Sequence, residues 1–363
     1  AGGRTDAPRW FAAAAAEVPA AEAPKAWSHL LDPHRVRIAQ ASAPTPAAEP
    51  VSTSDPNFRR TVERRLLEGK CVPVLGSGVH GGGPLSEYAL TVALAEQVGL
   101  PDPGRLTLVT VAEYREKLEK DRWELLDVLA DELARQTARA RPSATHALFT
   151  ALAGRATGAA GDTPDPLILI SMAYDDTLER SLRAAGVPTV VVTHVQRSED
   201  VVDFSLLAFR ADGIERTTPA DFLPRAGDAC ILYKPLGSPA LNARLEEEFD
   251  GPLIDTVVIS EGDFVRFVGN LEHKQTGIPT AFRRPFRRRA TLFMGYALDA
   301  WHYRLITTIL PVRNPFAVRQ LASPIERLAW ERLGADLVED DPDAFARAVL
   351  HANPELAGPG SAA

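Results

Sequence analysis

Three small residues, Gly76, Ser77 and Gly78, follow a short apolar run at 71–75 and precede an amphipathic pattern at 86–98. Glycines directly after the first strand of an α/β sheet let backbone N–H groups come close to a ligand, and the start of the next helix favours an anion. The pattern predicts a dinucleotide site with its pyrophosphate at this loop. A tight strand-to-helix turn without a ligand is the alternative, because the stretch is neither Gly-x-Gly-x-x-Gly nor a phosphate-loop Gly-Lys-Ser.

The composition is that of a globular protein with an acidic balance. The chain has 363 residues, of which 45% are hydrophobic and 24% charged, and its formal net charge is -8. This charge argues against general affinity for nucleic acid or anionic membranes. A local exception is the arginine-rich stretch at 283–289, for which a solvated loop or protein contact and a phosphate-facing surface are the alternatives. The sequence has no apolar run of roughly 18 residues and no signal-peptide pattern, so we expect a cytoplasmic protein.

The chain has two cysteines, Cys71 and Cys230. Each lies in a predicted apolar strand, so we expect buried thiols rather than a disulfide. Two cysteines cannot supply a four-cysteine zinc site, and neither zinc nor another metal is predicted.

Short, almost continuously apolar runs are typical of strands that are buried on both faces of a parallel sheet. Such runs recur from 71–75 through 167–172 to 291–294, with helical patterns between them. They predict an α/β fold with a doubly wound, mostly parallel Rossmann-like sheet. Long helical patterns at about 105–155 predict a helical insertion into this fold.

The predicted domain organisation has three parts. Residues 1–54 form an Ala/Pro-rich arm and linker, 55–352 the α/β domain, and 353–363 a flexible tail. Trp10 and Trp27 stand in the otherwise disorder-like arm. We therefore expect the arm to bind a protein surface, either of this chain or of a neighbour.

Six stretches resemble sirtuin motifs and follow one another in the family's order. They are Val74-Leu75-Gly76-Ser77-Gly78-Val79, Ile170 to Glu179 with Tyr174-Asp175-Asp176 at its centre, Leu232 to Ser238 ending in Leu236-Gly237-Ser238, Val258 to Phe264, Leu292 to Arg304, and Pro324 to Val338. Together they span about residues 57–352 and resemble the bacterial sirtuin-like family. The resemblance implies a Rossmann-like fold, NAD as ligand, homo-oligomers, and NAD hydrolysis in anti-phage defence rather than protein deacetylation.

The resemblance also implies which positions would contact NAD or an ADP-ribose-like nucleotide. The contacts expected from the matching motifs are Gly76, Ser77, Gly78, Tyr174, Asp175, Gly237, Ser238, Gly295 and Asp299.

Apolar residues stand at the two positions that the resemblance ties to nicotinamide cleavage. The family's Asn and His are Ala173 and Leu236 in this chain, and its Asp before Trp is Ala300, with Asp299 one residue away. Loss of nicotinamide leaves an oxocarbenium-like ribose, at which an amide can position a nucleophile and an imidazole can take its proton. A methyl and an isobutyl group can neither donate, accept nor titrate. The sequence therefore predicts that NAD hydrolysis is lost.

Two histidines are the candidates for a substitute catalytic role. His80 follows the glycine loop, and His302 stands where the family has Asn. A surface or packing histidine is the alternative for each. Asp175 and Asp176 lie at the turn after a predicted strand, where a helix N-cap and a ribose contact are the alternatives.

Three hypotheses remain for the function. We favour a degenerate sirtuin-like domain, a pseudoenzyme that binds an NAD-type nucleotide or ADP-ribose. It would act as a binding or assembly module in a homo-oligomer or a larger bacterial complex, with protein partners held by the arm. The second hypothesis is an active NAD hydrolase with a rearranged site, and the third is a purely structural component with an empty pocket.

Overall fold

The computed structural model describes residues 56–80, 83–158, 166–198, 205–249, 254–271, 277–320 and 323–356. All of them belong to one unit, Val51–Ala363. The predicted binding arm at 1–54, with Trp10 and Trp27, lies outside the described residues. Of the predicted tail at 353–363, the structure describes residues 353–356, which include the short 3-10 helix Pro354–Leu356.

Eleven strands are present in the described residues, and nine of them form one sheet. The strands are β1 (Cys71–Leu75), β2 (Leu167–Ser171), β3 (Thr189–His194), β4 (Arg197–Ser198), β5 (Leu206–Arg210), β6 (Gly213–Thr217), β7 (Cys230–Tyr233), β8 (Ile254–Asp255), β9 (Ala290–Met294), β10 (Phe316–Val318) and β11 (Asp336–Val338). The sheet order is β11-β10-β9-β1-β2-β7-β3-β5-β6, and β4 pairs with β8. Pairing is parallel from β11 to β3 and antiparallel for β5 and β6. The predicted mostly parallel, doubly wound sheet is confirmed.

Helices cover both faces of the sheet. They are α1 (Pro56–Leu67), α2 (Glu87–Gln97), α3 (Leu108–Glu119), α4 (Arg122–Thr137), α5 (Ala144–Gly158), α6 (Thr177–Ala184), α7 (Pro239–Glu248), α8 (Glu261–Leu271), α9 (Thr280–Arg288), α10 (Trp301–Ile309), α11 (Pro324–Leu333) and α12 (Pro342–Ala352). One core contains side chains of α2, α3, α4, α8, α9, α10 and α11. The other contains those of α1, α5, α6, α7 and α12. Within the described residues, no helix is long and apolar enough to cross a membrane.

β1 lies in the interior of the sheet, between β9 and β2, and contributes to both cores. Val72 and Val74 belong to the first core, and Cys71 and Leu75 to the second. Successive side chains of a strand point to opposite faces, so a strand covered on both sides is apolar throughout. β1 pairs with β9 along its whole length and with β2 at its carboxyl end.

Cys71 and Cys230 are buried free thiols, as predicted. Burial raises the pKa of Cys71 to about 11. It also raises the pKa of Cys230 far above its usual value. Both side chains therefore pack as small apolar groups and not as reactive thiolates.

A buried network of charged side chains connects α4 with β4, β8 and α8. Arg122 at the start of α4 lies 3.0 Å from Asp255 of β8 and 2.9 Å from Asp263 of α8. It also donates to the carbonyl of Val257 at 2.7 Å. Arg197 of β4 reaches the second oxygen of Asp263 at 2.8 Å. Each buried charge thus has an opposite charge beside it, which is the condition for its burial.

We expect Arg122→Ala to destabilise the fold strongly. The Asp255 side chain is 0% exposed and would lose its cation, and breaking a buried pair in this way costs about 3–5 kcal/mol. The free energy of unfolding in urea measures the loss. Lys117→Ala in α3 is the control, because that side chain is 75% exposed and should change stability by less than about 1 kcal/mol. Equal losses in the two variants would contradict the role given to the network.

Candidate functional site

The carboxyl ends of β1 and β9 mark the point at which the winding of the sheet reverses. From β1 the chain continues to strands on one side of it, and later returns to β9 on the other side. Ligands of open α/β sheets bind outside the strand ends at such a point. Gly76 directly follows β1 and Gly295 directly follows β9. The space beside these glycines is therefore the candidate site.

The two glycine segments pack directly against each other. The N–H of Gly76 donates to the carbonyl of Met294 at 2.9 Å, and the N–H of Gly78 donates to the carbonyl of Gly295 at 3.0 Å. A Cβ on Gly76 would lie 2.4 Å from the oxygen of Gly295. A Cβ on Gly295, whose φ is +62°, would lie 2.4 Å from the nitrogen of Val79. The fold itself therefore requires glycine at these positions.

A carboxylate lies beside the hydroxyl of the glycine loop. Ser77 Oγ donates to Glu87 Oε2 at 3.3 Å, and the hydroxyl of Tyr303 donates to the same oxygen at 3.0 Å. Glu87 is the first residue of α2, behind the N-cap Ser86. Burial raises the pKa of Glu87 above its usual value, although the hydrogen bonds from Tyr303 and Ser77 act in the opposite direction.

A histidine–aspartate pair lies next to this loop. His80 Nε2 is 2.9 Å from Asp175 Oδ2, and the two side chains are 6% and 3% exposed. Burial by itself would raise the pKa of Asp175, but the imidazole of His80 and the ammonium group of Lys234 hold that pKa well below its usual value. The ring of His146 lies 5.2 Å from that of His80, and burial together with His80 lowers the pKa of His146 to about 4. Within the described residues, no group of three His, Cys, Asp or Glu side chains could hold a metal ion.

Polar groups after β2 and β7 join these two segments to each other. Lys234 Nζ lies 2.6 Å from Glu179 Oε1 and donates to the carbonyl of Asp175 at 2.5 Å. Ser238 Oγ donates to the carbonyl of Tyr174 at 2.6 Å. These side chains therefore position the strand ends of the site, and each has its partner within the protein.

The interior between these groups is apolar and almost filled. Ala173 is 9% exposed, and Leu236 is fully buried in the first core. A small cavity with a volume of about 10 Å³ remains between the polar groups described above and this core. It is lined by Ser77, Leu85, Glu87, Leu90, Leu133, Ala173, Tyr174 and Asp175. Such a space is close to the smallest that holds one water molecule.

Residues 168–321 match the family described as the SIR2-like domain. Over these residues the match confirms the sirtuin resemblance that the sequence motifs indicated. A comparison with curated proteins gives no match.

Two solved Sir2 structures are similar to this chain at low identity. One is described as Sir2 with a p53 peptide and NAD⁺; it is 16% identical, has a TM-score of 0.33, and the alignment covers 80% of this chain and 97% of that one. The other is Sir2 with the inhibitor EX-527, 2'-O-acetyl-ADP-ribose and a deacetylated p53 peptide; it is 13% identical, has a TM-score of 0.32, and the alignment covers 81% of this chain and 99% of that one.

The fold brings together most of the residues predicted to contact a nucleotide. They form two groups at the strand ends, Gly76, Ser77, Gly78 and Gly295 after β1 and β9, and Tyr174, Asp175, Gly237 and Ser238 after β2 and β7. Their contact with a nucleotide stays a prediction. Asp299 is exposed, and its carboxylate accepts the N–H of Ala300 at 3.1 Å.

His302 packs against aromatic side chains and does not belong to the two groups of predicted nucleotide contacts. Its side chain is 1% exposed, and its ring lies 4.4 Å from those of both Phe264 and Tyr303. Burial, with a smaller effect of Arg304, lowers the pKa of His302 to about 4. Of its two predicted roles, the structure supports packing.

Asp175, and not Asp176, provides the local cap at the start of α6. Asp175 Oδ1 accepts the N–H of Thr177 at 2.9 Å. The side chain of Asp176 instead lies 3.1 Å from Arg180. The same Asp175 carboxylate thus caps the helix and binds His80.

Four residues of the site carry little signal in the sequence. Glu87 and Arg319 lie just after a glycine loop and a strand, respectively, and no other sequence feature marks them. Lys234 lies within the motif-like stretch from Leu232 to Ser238, but its pairing with Glu179 was not predicted. Arg319 approaches the loop closely, because a Cβ on Gly78 would lie 2.7 Å from its Nη1. His146 meets His80 from a helix distant in sequence, so no local pattern marks it.

We expect Gly295→Ala to destabilise the α/β domain. The left-handed backbone there costs a residue with a Cβ about 1–2 kcal/mol, and the added contact with Val79 raises the cost further. Gly269→Ala in α8 is the control, since a Cβ there meets nothing within 4 Å and should stabilise the helix by about 0.5–1 kcal/mol. Chemical unfolding of both variants provides the measurement. A stable Gly295→Ala variant would show that the two glycine segments are not in contact.

Stability should fall as the pH drops from about 6.5 towards 4, because unfolded histidines bind protons there while buried ones do not. His146 and His302, each with its pKa lowered to about 4, account for this decline. His302→Leu removes one of the two and should reduce the decline, without abolishing it. Urea unfolding across this pH range tests the prediction, with His351→Leu at an exposed position of α12 as the control. A pH slope that His302→Leu leaves unchanged would contradict a neutral, buried imidazole.

Proposed function

We propose that this chain is a SIR2-like binding module that takes an NAD-type nucleotide or ADP-ribose and does not hydrolyse it. The observation that carries the proposal is the environment of Ala173 and Leu236. The sirtuin resemblance implies an amide and an imidazole at these two positions. Leu236 is fully buried, and Ala173 presents only a methyl group beside the cavity.

Loss of these groups removes the usual chemistry of the site. A positioned general base contributes about 10²–10⁴-fold in rate. The amide that would position a nucleophile is missing as well, although the two losses do not simply add. The domain therefore lacks the means by which the family cleaves the bond to nicotinamide.

The proposed ligand follows from the family and from the loop at the end of β1. Residues 168–321 match the SIR2-like domain, and the Ser77 hydroxyl and the start of α2 lie together at the switch point of the sheet. These are the groups that receive a pyrophosphate in this type of fold. Ligand pockets measure about 300–1,000 Å³. The cavity of about 10 Å³ is too small to hold a nucleotide as it stands, whereas a groove of about 410 Å³ shares Leu133, Tyr174 and Asp175 with it.

A second candidate function is NAD hydrolysis by a rearranged site. The observation in its favour is the contact of 2.9 Å between His80 and Asp175. A carboxylate that orients an imidazole is the arrangement of a general base. The pair lies beside the cavity, of which Asp175 is a lining residue.

The proposal extends to the context in which the module works. The sirtuin resemblance favours a bacterial protein assembly, including one for phage defence, formed by copies of the chain or with other proteins. The acidic net charge of -8 favours protein rather than nucleic-acid partners. The arm at 1–54 remains the proposed binding segment.

We expect the purified chain to release no nicotinamide from NAD above the buffer background. It should nevertheless be stabilised by millimolar ADP-ribose or NAD, since a ligand at about 100 times its Kd adds about 2.7 kcal/mol to the stability of the folded state. Chromatographic measurement of nicotinamide and a thermal-shift titration test the two expectations.

Two outcomes would change the assignment. Nicotinamide release that disappears in His80→Ala but not in the exposed control His351→Ala would establish the rearranged hydrolase. No thermal shift with either nucleotide would favour a purely structural component with an empty pocket.

A further inference from the structure

Glu87 lies where a phosphate of the proposed nucleotide would meet the glycine loop. It is the first residue of α2, and its Oε2 accepts the hydrogen bond from Ser77. A helix N-terminus and the polar groups of the preceding loop are what bind phosphate in this type of fold. In this chain the protein's own carboxylate already interacts with both.

Glu87 differs from Asp175, the other carboxylate that lines the cavity. Asp175 lies 2.9 Å from His80 and also experiences the positive charge of Lys234, so its charge is compensated. The two hydrogen-bond partners of Glu87, Ser77 and Tyr303, are neutral hydroxyls. Two anions in a small cavity repel each other more than in water because the effective dielectric constant is lower. An ionised Glu87 therefore opposes a phosphate, and a protonated one does not.

We propose that Glu87 determines the ligand specificity of this site, so that a nucleoside diphosphate binds at the glycine loop only when Glu87 takes up a proton. The inference rests on the nucleotide binding proposed above and adds to it a coupling between ligand and proton. Adenosine and other nucleosides without a phosphate are not subject to the coupling.

The surroundings of Glu87 favour its neutral form. Burial raises its pKa, and the negative charge of Asp299 acts in the same direction, whereas Arg319 opposes it. Proton uptake at mildly acidic pH is therefore easier for Glu87 than for an exposed glutamate.

Other titratable groups also face Glu87, and their properties limit which residues can make the nucleotide affinity depend on pH. Tyr303 and Tyr174 have their pKa values raised well above the usual one, so both remain neutral hydroxyls. Asp175 lies across the cavity, with His80 beside it. A pH effect near neutrality therefore comes from Glu87 or from the His80–Asp175 pair, and a variant of His80 separates the two.

The test is isothermal titration of the full chain with ADP-ribose at about pH 8 and about pH 5.5, in buffers of different ionisation enthalpy. The wild-type protein should bind more tightly at the lower pH and take up protons on binding. Glu87→Gln, which keeps the size and the hydrogen bond to Ser77, should bind about tenfold more tightly at the higher pH. It should also take up fewer protons. Glu96→Gln, on the exposed face of the same helix, is the matched control and should behave as wild type.

Adenosine and a His80 variant provide two further arms of the titration. Adenosine should bind wild type and Glu87→Gln equally, which distinguishes repulsion of phosphate from a general change in the pocket. His80→Gln should retain the proton uptake that accompanies binding of ADP-ribose. If that uptake disappears in His80→Gln and persists in Glu87→Gln, the proposal is overturned.

The remaining outcomes separate the inference from the function on which it rests. Equal affinity and equal proton uptake in wild type and Glu87→Gln would overturn the role of Glu87 and leave nucleotide binding intact. Weaker binding by Glu87→Gln would identify a direct ligand contact instead and also overturn the inference. No binding by either protein at either pH would overturn both proposals.

Discussion

The close approach of two backbone segments, after β1 and after β9, is the constraint on which the candidate site depends. Gly76 and Gly78 donate to the end of β9, and Gly295 leaves no room for a Cβ. Because the contact is made by backbone atoms, it fixes the ends of the central strands relative to each other. Ser77 and Glu87 then meet at one edge of the cavity, opposite the residues that follow β2. The glycines are thus explained by the fold before any ligand is considered.

The polar groups at this edge are bound mainly to one another. Lys234 pairs with Glu179, and His80 pairs with Asp175. A site prepared for catalysis usually leaves a donor or a base directed at the position of the reacting atom. Leu236 instead extends the apolar core to the strand ends. The arrangement therefore stabilises the edge of the sheet and offers a ligand few directed groups.

Those features of the fold that depend on local sequence could be predicted. β1, β2 and β9 are short apolar runs, and glycines mark the ends of β1 and β9, so both the strands and these loops are visible in the sequence. Contacts between distant residues could not be predicted. Glu87 and Tyr303 are 216 positions apart, and their hydrogen bond exists only because α2 and α10 lie in the same layer. The same is true of the rings of His80 and His146.

Glu87 links the stability of the empty site to the choice of ligand. At the first turn of α2, close to the positive end of the helix dipole, Glu87 accepts hydrogen bonds from the hydroxyls of Ser77 and Tyr303. A phosphate would use the same dipole and the same Ser77 hydroxyl. The carboxylate and the phosphate therefore compete for one position. Under the proposal above, whatever an ionised Glu87 adds to the stability of the unliganded protein works against the binding of an anion at this position.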